Sequence, residues 1–127
     1  MRTSLFIIAL LIPAAVKAQA LQWEQTRAWV EAVEDGGPVT ALYRFKNTSG
    51  NPVRIRSVPT SCNCMVGKPE KRDYAPDEQG ELTLIYSPKG RWGVHAYRFY
   101  VVTDEKGLRP YELIFEVNET RREKAAD

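Results

Sequence analysis

The sequence predicts an all-β protein, an antiparallel β-sandwich of about seven strands. Three observations indicate this class. Short segments of alternating apolar and polar residues recur along the chain, and turn signals rich in Gly, Pro, Asn and Asp separate them. No segment after residue 20 has a convincing helical period. One folded domain is expected at residues 21–120, followed by a charged, disordered tail at residues 121–127.

The first twenty residues have the pattern of an export signal. Arg2 provides a positive start, residues 5–16 are apolar, and Ala18 and Ala20 place small side chains at the cleavage positions. The apolar run is shorter than the roughly 20 residues that a membrane-spanning helix needs, and no second run follows. We therefore predict a signal peptide at residues 1–20, no membrane anchor after its removal, and a periplasmic or secreted location in a bacterium.

The charge balance argues against two classes of partner. The chain has 18 Lys and Arg residues and 16 Asp and Glu residues, and two of the bases, Arg2 and Lys17, lie in the leader. All the acidic residues follow the leader, so the remaining chain has as many acids as bases. Because a balanced net charge gives no long-range attraction, neither nucleic acid nor an anionic membrane is predicted as a partner.

The first predicted strands lie on either side of a turn. Residues 21–33 contain several apolar side chains without a clean period, which predicts one or two short strands. The turn signal Asp35-Gly36-Gly37-Pro38 ends them. Residues 39–46 then alternate strictly between apolar and polar side chains, the pattern of a half-buried strand.

The next strand, residues 53–58, is predicted to lie in the opposite sheet. A hairpin that aligned the apolar faces of the two strands would place Arg54 and Arg56 on the same face as Arg44 and Lys46. Like charges directly opposite each other cost roughly 0.2–1 kcal/mol per pair. A crossover to the facing sheet avoids this cost and lets the two apolar faces meet in the core.

The second half of the chain predicts a loop and three strands. Residues 67–78 are rich in Lys, Asp, Glu and Pro and predict an exposed loop. Strands follow at residues 81–86, 94–103 and 111–117, with a hairpin turn at residues 104–107 between the last two. Residues 94–103 have apolar side chains on both faces, so we expect this strand to lie at the centre of its sheet.

The two cysteines, Cys62 and Cys64, are the one indication of chemistry. In an extended strand their Cα atoms would lie about 6.6 Å apart, near the upper limit for a disulfide, and a bend at Asn63 would shorten this distance. A three-residue ring gains only ~1.6 kcal/mol in the chain-entropy model, so such a bond is weak and easily reduced. Three interpretations stay open: a structural disulfide or thiol pair, a soft-metal site, and thiol exchange with a partner.

The soft-metal interpretation points to copper(I). Cys62 and Cys64 would provide thiolates, with Met65 or His95 as a third ligand. Zinc is disfavoured because a closed site needs four strong ligands and the chain has one His and two Cys. A single His on a strand, as His95 is, more often forms a hydrogen bond or faces solvent. The prediction is therefore no cofactor, with copper as the one alternative.

Five short motifs follow one another between residues 39 and 117. They are Phe45-x-Asn47, Pro52-Val53-x-Ile55, Ser61-Cys62-x-Cys64, Pro76-x-Glu78-x-Gly80 and Gly90-Arg91-x-Gly93. This ordered set resembles the bacterial family catalogued as domain of unknown function 1573. The resemblance implies an immunoglobulin-like sandwich in an exported protein, related in architecture to chaperone-like sandwiches, and it brings no established activity.

The chain departs from the family pattern at three positions. The family usually has Gly between the cysteines and Thr after them, where this chain has Asn63 and Met65, and Gly between the Pro and the Glu, where it has Asp77. Asn and Asp tolerate left-handed backbone angles better than most residues, so we expect the turns to be kept. Met65 adds a soft thioether beside the thiols.

No motif in the sequence predicts catalysis. The chain has no nucleophile motif, no acid and base at a recognisable spacing, and no phosphate-binding Gly loop. The sequence therefore predicts an exported, non-catalytic immunoglobulin-like domain that binds an unidentified protein of the bacterial envelope, by strand addition at an exposed sheet edge. The alternative is a periplasmic Cu(I)-binding or thiol-redox protein that uses Cys62 and Cys64.

Overall fold

A computed structural model describes residues 19–34 and 36–121, and this part of the chain is all-β. The described residues form nine strands: β1 (Leu21–Trp23), β2 (Arg27–Val33), β3 (Val39–Asn47), β4 (Val53–Ser57), β5 (Met65–Pro69), β6 (Asp73–Tyr74), β7 (Gln79–Tyr86), β8 (Gly93–Thr103) and β9 (Tyr111–Thr120). They contain no helix of the length and apolarity that crossing a membrane requires. The predicted all-β class is confirmed.

The strands form two sheets that pack face to face. One has the order β1-β3-β7-β5 and the other the order β2-β9-β8-β4-β6. Because β3 and β4 lie in different sheets, the predicted crossover is confirmed. The longest strand, β8, is third of five in its sheet, as expected, and it forms an antiparallel hairpin with β9.

One strand pair runs in a direction that the sequence did not predict. β2 pairs with β9 in parallel, from Arg27 beside Ile114 to Val33 beside Thr120, whereas the other strand pairs are antiparallel. A hairpin forces its two strands to be antiparallel, but β2 and β9 are far apart in the chain. Their relative direction is therefore set by the crossover and not by a local turn.

The predicted exposed loop at residues 67–78 is wrong. This segment contains most of β5 and all of β6, and the ring of Tyr74 is fully buried, 4.8 Å from the ring of Phe45 between centroids. Both strands lie at sheet edges, where charged side chains stay in solvent while their neighbours face the core. The charged composition of this segment therefore favoured a loop, although the segment forms two short edge strands.

Alternating side chains of the long strands fill the core. On β3 the residues Ala41, Tyr43 and Phe45 are buried and the residues between them are exposed, which confirms the alternation. The largest buried side chains from both sheets are Tyr43, Phe45, Tyr74, Tyr86, Phe99 and Phe115.

The two ends of the chain bear on the predicted boundaries. Residues 1–18 of the predicted signal peptide and residues 122–127 of the predicted tail lie outside the described residues. Ala20, at the predicted cleavage position, is buried, and its carbonyl accepts a hydrogen bond from the Thr48 amide (2.8 Å). The packed body thus includes at least one residue before residue 21.

Candidate functional site

The two cysteines form a disulfide in a tight turn at the start of β5. Their Cα atoms are 5.1 Å apart, so the chain bends at Asn63 as expected. The Met65 amide donates to the Cys62 carbonyl (3.2 Å), and the Ser87 amide donates to the Cys64 carbonyl (2.8 Å). The disulfide and the Met65 hydrogen bond therefore close the turn, and the Ser87 hydrogen bond joins it to the end of β7.

The two sulfurs have different surroundings. Cys64 is 5% exposed and belongs to the core, whereas Cys62 is partly exposed between the exposed residues Ser61 and Asn63. The Cys64 amide donates to Cys62 Sγ (3.1 Å). Lys89 Nζ donates to Asn63 Oδ1 (3.2 Å), which holds a positive charge at the turn. The accessible sulfur is therefore also the sulfur that accepts a hydrogen bond.

The structure places the side chains of the other two predicted site residues in different surroundings. Met65 is buried in the core, and His95 Nε2 donates to the carbonyls of Arg91 (3.1 Å) and Trp92 (3.3 Å). Among residues 19–34 and 36–121, no group of three or more His, Cys, Asp and Glu side chains is arranged to hold a metal ion. Copper binding by the thiolates with Met65 would require reduction of the disulfide first, and it stays a prediction.

Three of the predicted motif residues meet at the opposite end of the sandwich. Asn47 is fully buried, and its Nδ2 donates to the carbonyls of Asn51 (2.8 Å) and Tyr74 (3.1 Å). Gly80 faces Phe45 so closely that a Cβ atom at position 80 would lie 2.4 Å from Phe45 Cζ. Phe45, Asn47 and Gly80 therefore join the β3–β4 turn to the entry of β7.

The Pro76-x-Glu78 motif forms the turn before β7. Glu78 Oε1 accepts from the Ala75 amide (2.9 Å), and its other oxygen pairs with Lys71. This hydrogen bond from Lys71 lowers the pKa of the Glu78 carboxyl. Asp77 has a φ of 65°, so the prediction that this residue keeps a left-handed turn is confirmed.

The glycines of the fifth motif also have positive φ. Gly90 (74°) and Gly93 (100°) lie in the β7–β8 connection and at the start of β8, at the same end of the sandwich as the disulfide. A buried carboxylate holds this connection, because Glu119 Oε1 accepts from the Gly90 amide (2.7 Å). Its other oxygen accepts from the Tyr86 hydroxyl (2.9 Å).

Glu119 is a buried residue that was not predicted from the sequence. The signal was present, since Tyr111, Leu113, Phe115 and Val117 alternate on the inner face of β9 and position 119 is the next member of that series. A charged residue there reads as the end of the strand unless its partners are known. Burial, and secondarily the hydrogen bond to Glu119, raise the pKa of Tyr86.

Removal of the Tyr86 hydroxyl tests how much its hydrogen bond to Glu119 stabilises the fold. We expect Tyr86→Phe to lower the free energy of unfolding by about 1.5–3 kcal/mol, because a hydrogen bond to a charged group is lost inside the core. Tyr100→Phe is the matched control, since Tyr100 is 37% exposed. Urea unfolding of both variants measures the difference, and equal midpoints would contradict this role of Glu119.

The second candidate site is the open edge of β2. Two hydrogen bonds bracket the ladder between β2 and β9: the Ile114 amide to the Thr26 carbonyl (2.8 Å) and the Glu34 amide to the Thr120 carbonyl (2.9 Å). In a parallel pair, alternate residues of each strand bond to the partner, so the residues between them present amide and carbonyl groups on the other side. These residues are Arg27, Trp29 and Glu31.

The other long edge is blocked. On β5, Pro69 has no amide hydrogen and the Met65 amide already donates to Cys62. Between them, Gly67 packs against Val58, whose Cγ1 would lie 2.4 Å from a Cβ atom at position 67. The remaining edge strands, β1 and β6, have three and two residues. The edge of β2 is therefore the longest unblocked edge among the described strands.

A large apolar side chain marks this open edge. Trp29 is 50% exposed, and its indole Nε1 donates to Glu31 Oε1 (3.0 Å). Arg27 forms an ion pair with Glu116 on the neighbouring strand. Val33 is exposed on the same face. The edge thus combines unsatisfied main-chain groups with an aromatic anchor.

A groove of about 450 Å³ lies elsewhere, over the edge of the four-stranded sheet. It brings the predicted outward bases Arg44 and Lys46 together with acidic neighbours. The residues that line it are Gln22, Trp23, Glu24, Arg44, Phe45, Lys46, Thr48, Glu70, Gln79, Gly80 and Glu81. Because the lining includes both acids and bases, its charges favour no ligand of a single sign.

The comparisons with known proteins agree with the fold. A family described as "protein of unknown function (DUF1573)" matches residues 21–118. No curated protein matches the chain with significance. Among solved structures, a protein of unknown function from Porphyromonas gingivalis W83 is similar at 18% identity with a TM-score of 0.67, over 85% of this chain and 51% of that chain.

Two further structures have the same architecture. The PapD-like domain 7 of human CEP192 is similar at 10% identity with a TM-score of 0.65, over 97% of this chain and 99% of that domain. The CupB2 chaperone of Pseudomonas aeruginosa is similar at 15% identity with a TM-score of 0.54, over 77% of this chain and 55% of that chain. The chain thus spans about half the length of the chaperone and of the Porphyromonas protein, and the likeness shows the PapD-like, immunoglobulin-like fold.

Proposed function

The chain belongs to the DUF1573 family of proteins of unknown function, and from this premise we propose that it is an exported, non-catalytic interaction domain of the bacterial envelope. It binds an extended segment of a partner protein along the open edge of β2. The segment adds a sixth strand to the five-stranded sheet.

The observation that carries this proposal is the contrast between the two long edges. β5 is blocked by Pro69 and by the hydrogen bond from Met65 to Cys62, whereas β2 presents the main-chain groups of Arg27, Trp29 and Glu31. Proteins usually protect an open edge, because it is a template for strand pairing. An edge that is left open beside an exposed Trp is suited to a specific strand partner.

The side chains around the edge define the segment that fits it. On the outer face, Trp29 offers an aromatic surface between Arg27 and Glu31, so one side of the segment would carry an apolar residue flanked by polar or charged residues. On the inner face, Ala28, Val30 and Ala32 lie against the core, which favours small apolar residues. The expected ligand is an alternating segment of about five to seven residues.

The similarity in fold to proteins named chaperones supports a role in binding other proteins. The PapD-like domain of CEP192 has the same architecture in a human protein, so the fold by itself does not define one partner. The open edge, which is a feature of this chain, therefore carries the proposal.

The test uses two substitutions at one position. In Glu31→Pro the strand loses an amide that faces the open side, while the ladder to β9 is kept; Glu31→Ala removes the same side chain and keeps the amide. Peptides selected from a displayed library on the wild-type domain should bind Glu31→Pro about tenfold more weakly than Glu31→Ala, because one edge hydrogen bond is lost and the ring blocks the approach.

Hydrogen exchange locates the binding site independently. The amides of Arg27, Trp29 and Glu31 should exchange quickly in the free domain and slowly with a bound peptide. Peptides that bind both variants equally, with protection elsewhere in the domain, would show that the edge of β2 is not the binding site.

A further inference from the structure

The disulfide is not the principal constraint on the turn that contains it. The Thr60 hydroxyl donates to the Cys62 carbonyl (3.0 Å), the Met65 amide donates to the same carbonyl, and the Ser87 amide holds the Cys64 carbonyl. A ring closed over a separation of two residues restricts the unfolded chain little. The hydrogen bond from Ser87 does not involve the sulfurs, so opening the disulfide removes none of the main-chain bonds that attach the turn to β7.

The two sulfurs also differ in access, and access decides which sulfur a thiolate can attack. Cys62 is partly exposed, whereas Cys64 is buried beneath the turn. We propose that this disulfide exchanges with cysteine thiols of a partner protein, with Cys62 as the attacked sulfur and Cys64 as the leaving sulfur. This activity goes beyond strand binding at β2 and rests on different residues.

The exchange balances as a two-electron transfer from a dithiol. A thiolate of the partner attacks Cys62 Sγ, a bond forms between these two sulfurs, the Cys62–Cys64 bond breaks, and its electron pair leaves on Cys64 Sγ, which takes a proton. The partner's second thiolate then attacks its own sulfur in the mixed disulfide and releases Cys62 as a thiolate. The partner's dithiol is oxidised to a disulfide, and this chain is reduced to two thiols.

In the reverse reaction a thiolate of this chain attacks a disulfide of the partner, and the same geometry favours Cys62 as that thiolate. In the disulfide form, the Cys64 amide donates to Cys62 Sγ (3.1 Å), and the Lys89 ammonium lies on the neighbouring Asn63 side chain. Both stabilise a thiolate, which is the reactive form of cysteine. The mixed disulfide therefore forms at Cys62 both when the partner is oxidised and when it is reduced.

Single-cysteine variants test this assignment. Cys64→Ser leaves Cys62 as the one thiol, and Cys62→Ser leaves Cys64. With the aromatic disulfide reagent DTNB under native conditions, we expect Cys64→Ser to react at least tenfold faster than Cys62→Ser, and in urea the two rates should become similar. Equal native rates, or a faster Cys62→Ser, would overturn the proposal.

A measurement on the wild-type protein covers the case in which a variant does not fold. The native oxidised protein is treated with a reduced synthetic peptide that contains two cysteines, then with limiting iodoacetamide, and the labelled cysteine is identified by mass spectrometry. The proposal requires that the peptide opens the disulfide without denaturant and that Cys62 carries at least tenfold more label than Cys64. A disulfide that opens only in urea, or equal labelling, would show that the bond is structural. Both outcomes leave peptide binding at β2 unaffected, so they are separate from a failure of the proposed function.

Discussion

Asn47→Ala is expected to lower the free energy of unfolding by about 3–4 kcal/mol, the largest effect of any single substitution considered for this protein. The Asn47 side chain is fully buried and donates to the carbonyls of Asn51 and Tyr74. It also accepts from the Ser49 amide (3.1 Å). Loss of the buried bond to Tyr74 costs roughly 1–3 kcal/mol, and loss of each part-buried bond, to Asn51 and from Ser49, costs about 0.5–1.5 kcal/mol, so their sum accounts for the expected loss.

The matched control is Asn51→Ala. Asn51 is exposed, and only its main-chain carbonyl bonds to Asn47. Removing its side chain should change stability by less than about 0.5 kcal/mol. Urea unfolding of both variants gives the comparison, provided that the dependence on urea concentration stays the same. If Asn47→Ala were no less stable than Asn51→Ala, the hydrogen bonds at Asn47 would not hold this end of the sandwich together.

Gly80→Ala is expected to cost about 2–3 kcal/mol and to lower Tm by about 10 °C or more. A Cβ atom at this position would lie 2.4 Å from both Phe45 Cζ and Tyr74 Cε1. Both rings are buried and packed on each other, so neither can move without disturbing the core. Differential scanning calorimetry measures the loss.

Two further variants separate crowding from the loss of glycine itself. Gly50→Ala introduces the same methyl group where no atom lies within 4 Å, so its Tm should hardly change. Phe45→Leu removes the end of one crowding ring, so Gly80→Ala should cost at least 1 kcal/mol less in that background than in the wild type (~1 kcal/mol coupling). An equal cost in both backgrounds would place the strain away from Phe45.

Side-chain alternation was sufficient to predict most of the architecture. The alternation in β3, β7 and β9 predicted strands with the correct inner faces, because a period of two directly reports which face of a sheet is buried. The repulsion between the bases of β3 and β4 correctly placed those strands in different sheets. Both arguments use neighbours in sequence and need no long-range contact.

The features that the sequence could not predict depend on residues far apart in the chain. The charged segment around Tyr74 folds as strands because that ring packs against Phe45, which lies in another sheet. Glu119 is buried because Tyr86 and Gly90 provide donors. No local pattern reveals such partners, so the sequence favoured a loop in the first case and a strand that ends at residue 117 in the second.

The candidate sites also contain features that the local sequence predicts and features that depend on distant residues. The spacing of Cys62 and Cys64 identified a candidate site and left a disulfide as one of three interpretations. The difference in access between the two sulfurs could not be predicted, since it depends on the packing of Cys64 in the core. The motif residues Phe45, Asn47 and Gly80 were identified by resemblance. Their structural role depends on the contact between β3 and the turn before β7, which the sequence does not show.

The parallel pairing of β2 with β9 joins two segments that lie far apart in the chain. A nascent chain that has been synthesised only as far as β8 contains β2 but has nothing for it to pair with, because residues 114–120 are still missing. Contacts between such distant segments form late and slow the folding of a domain. The edge of β2 that is proposed to bind a partner therefore takes its folded shape only after residues 114–120 have paired with β2 on its other side.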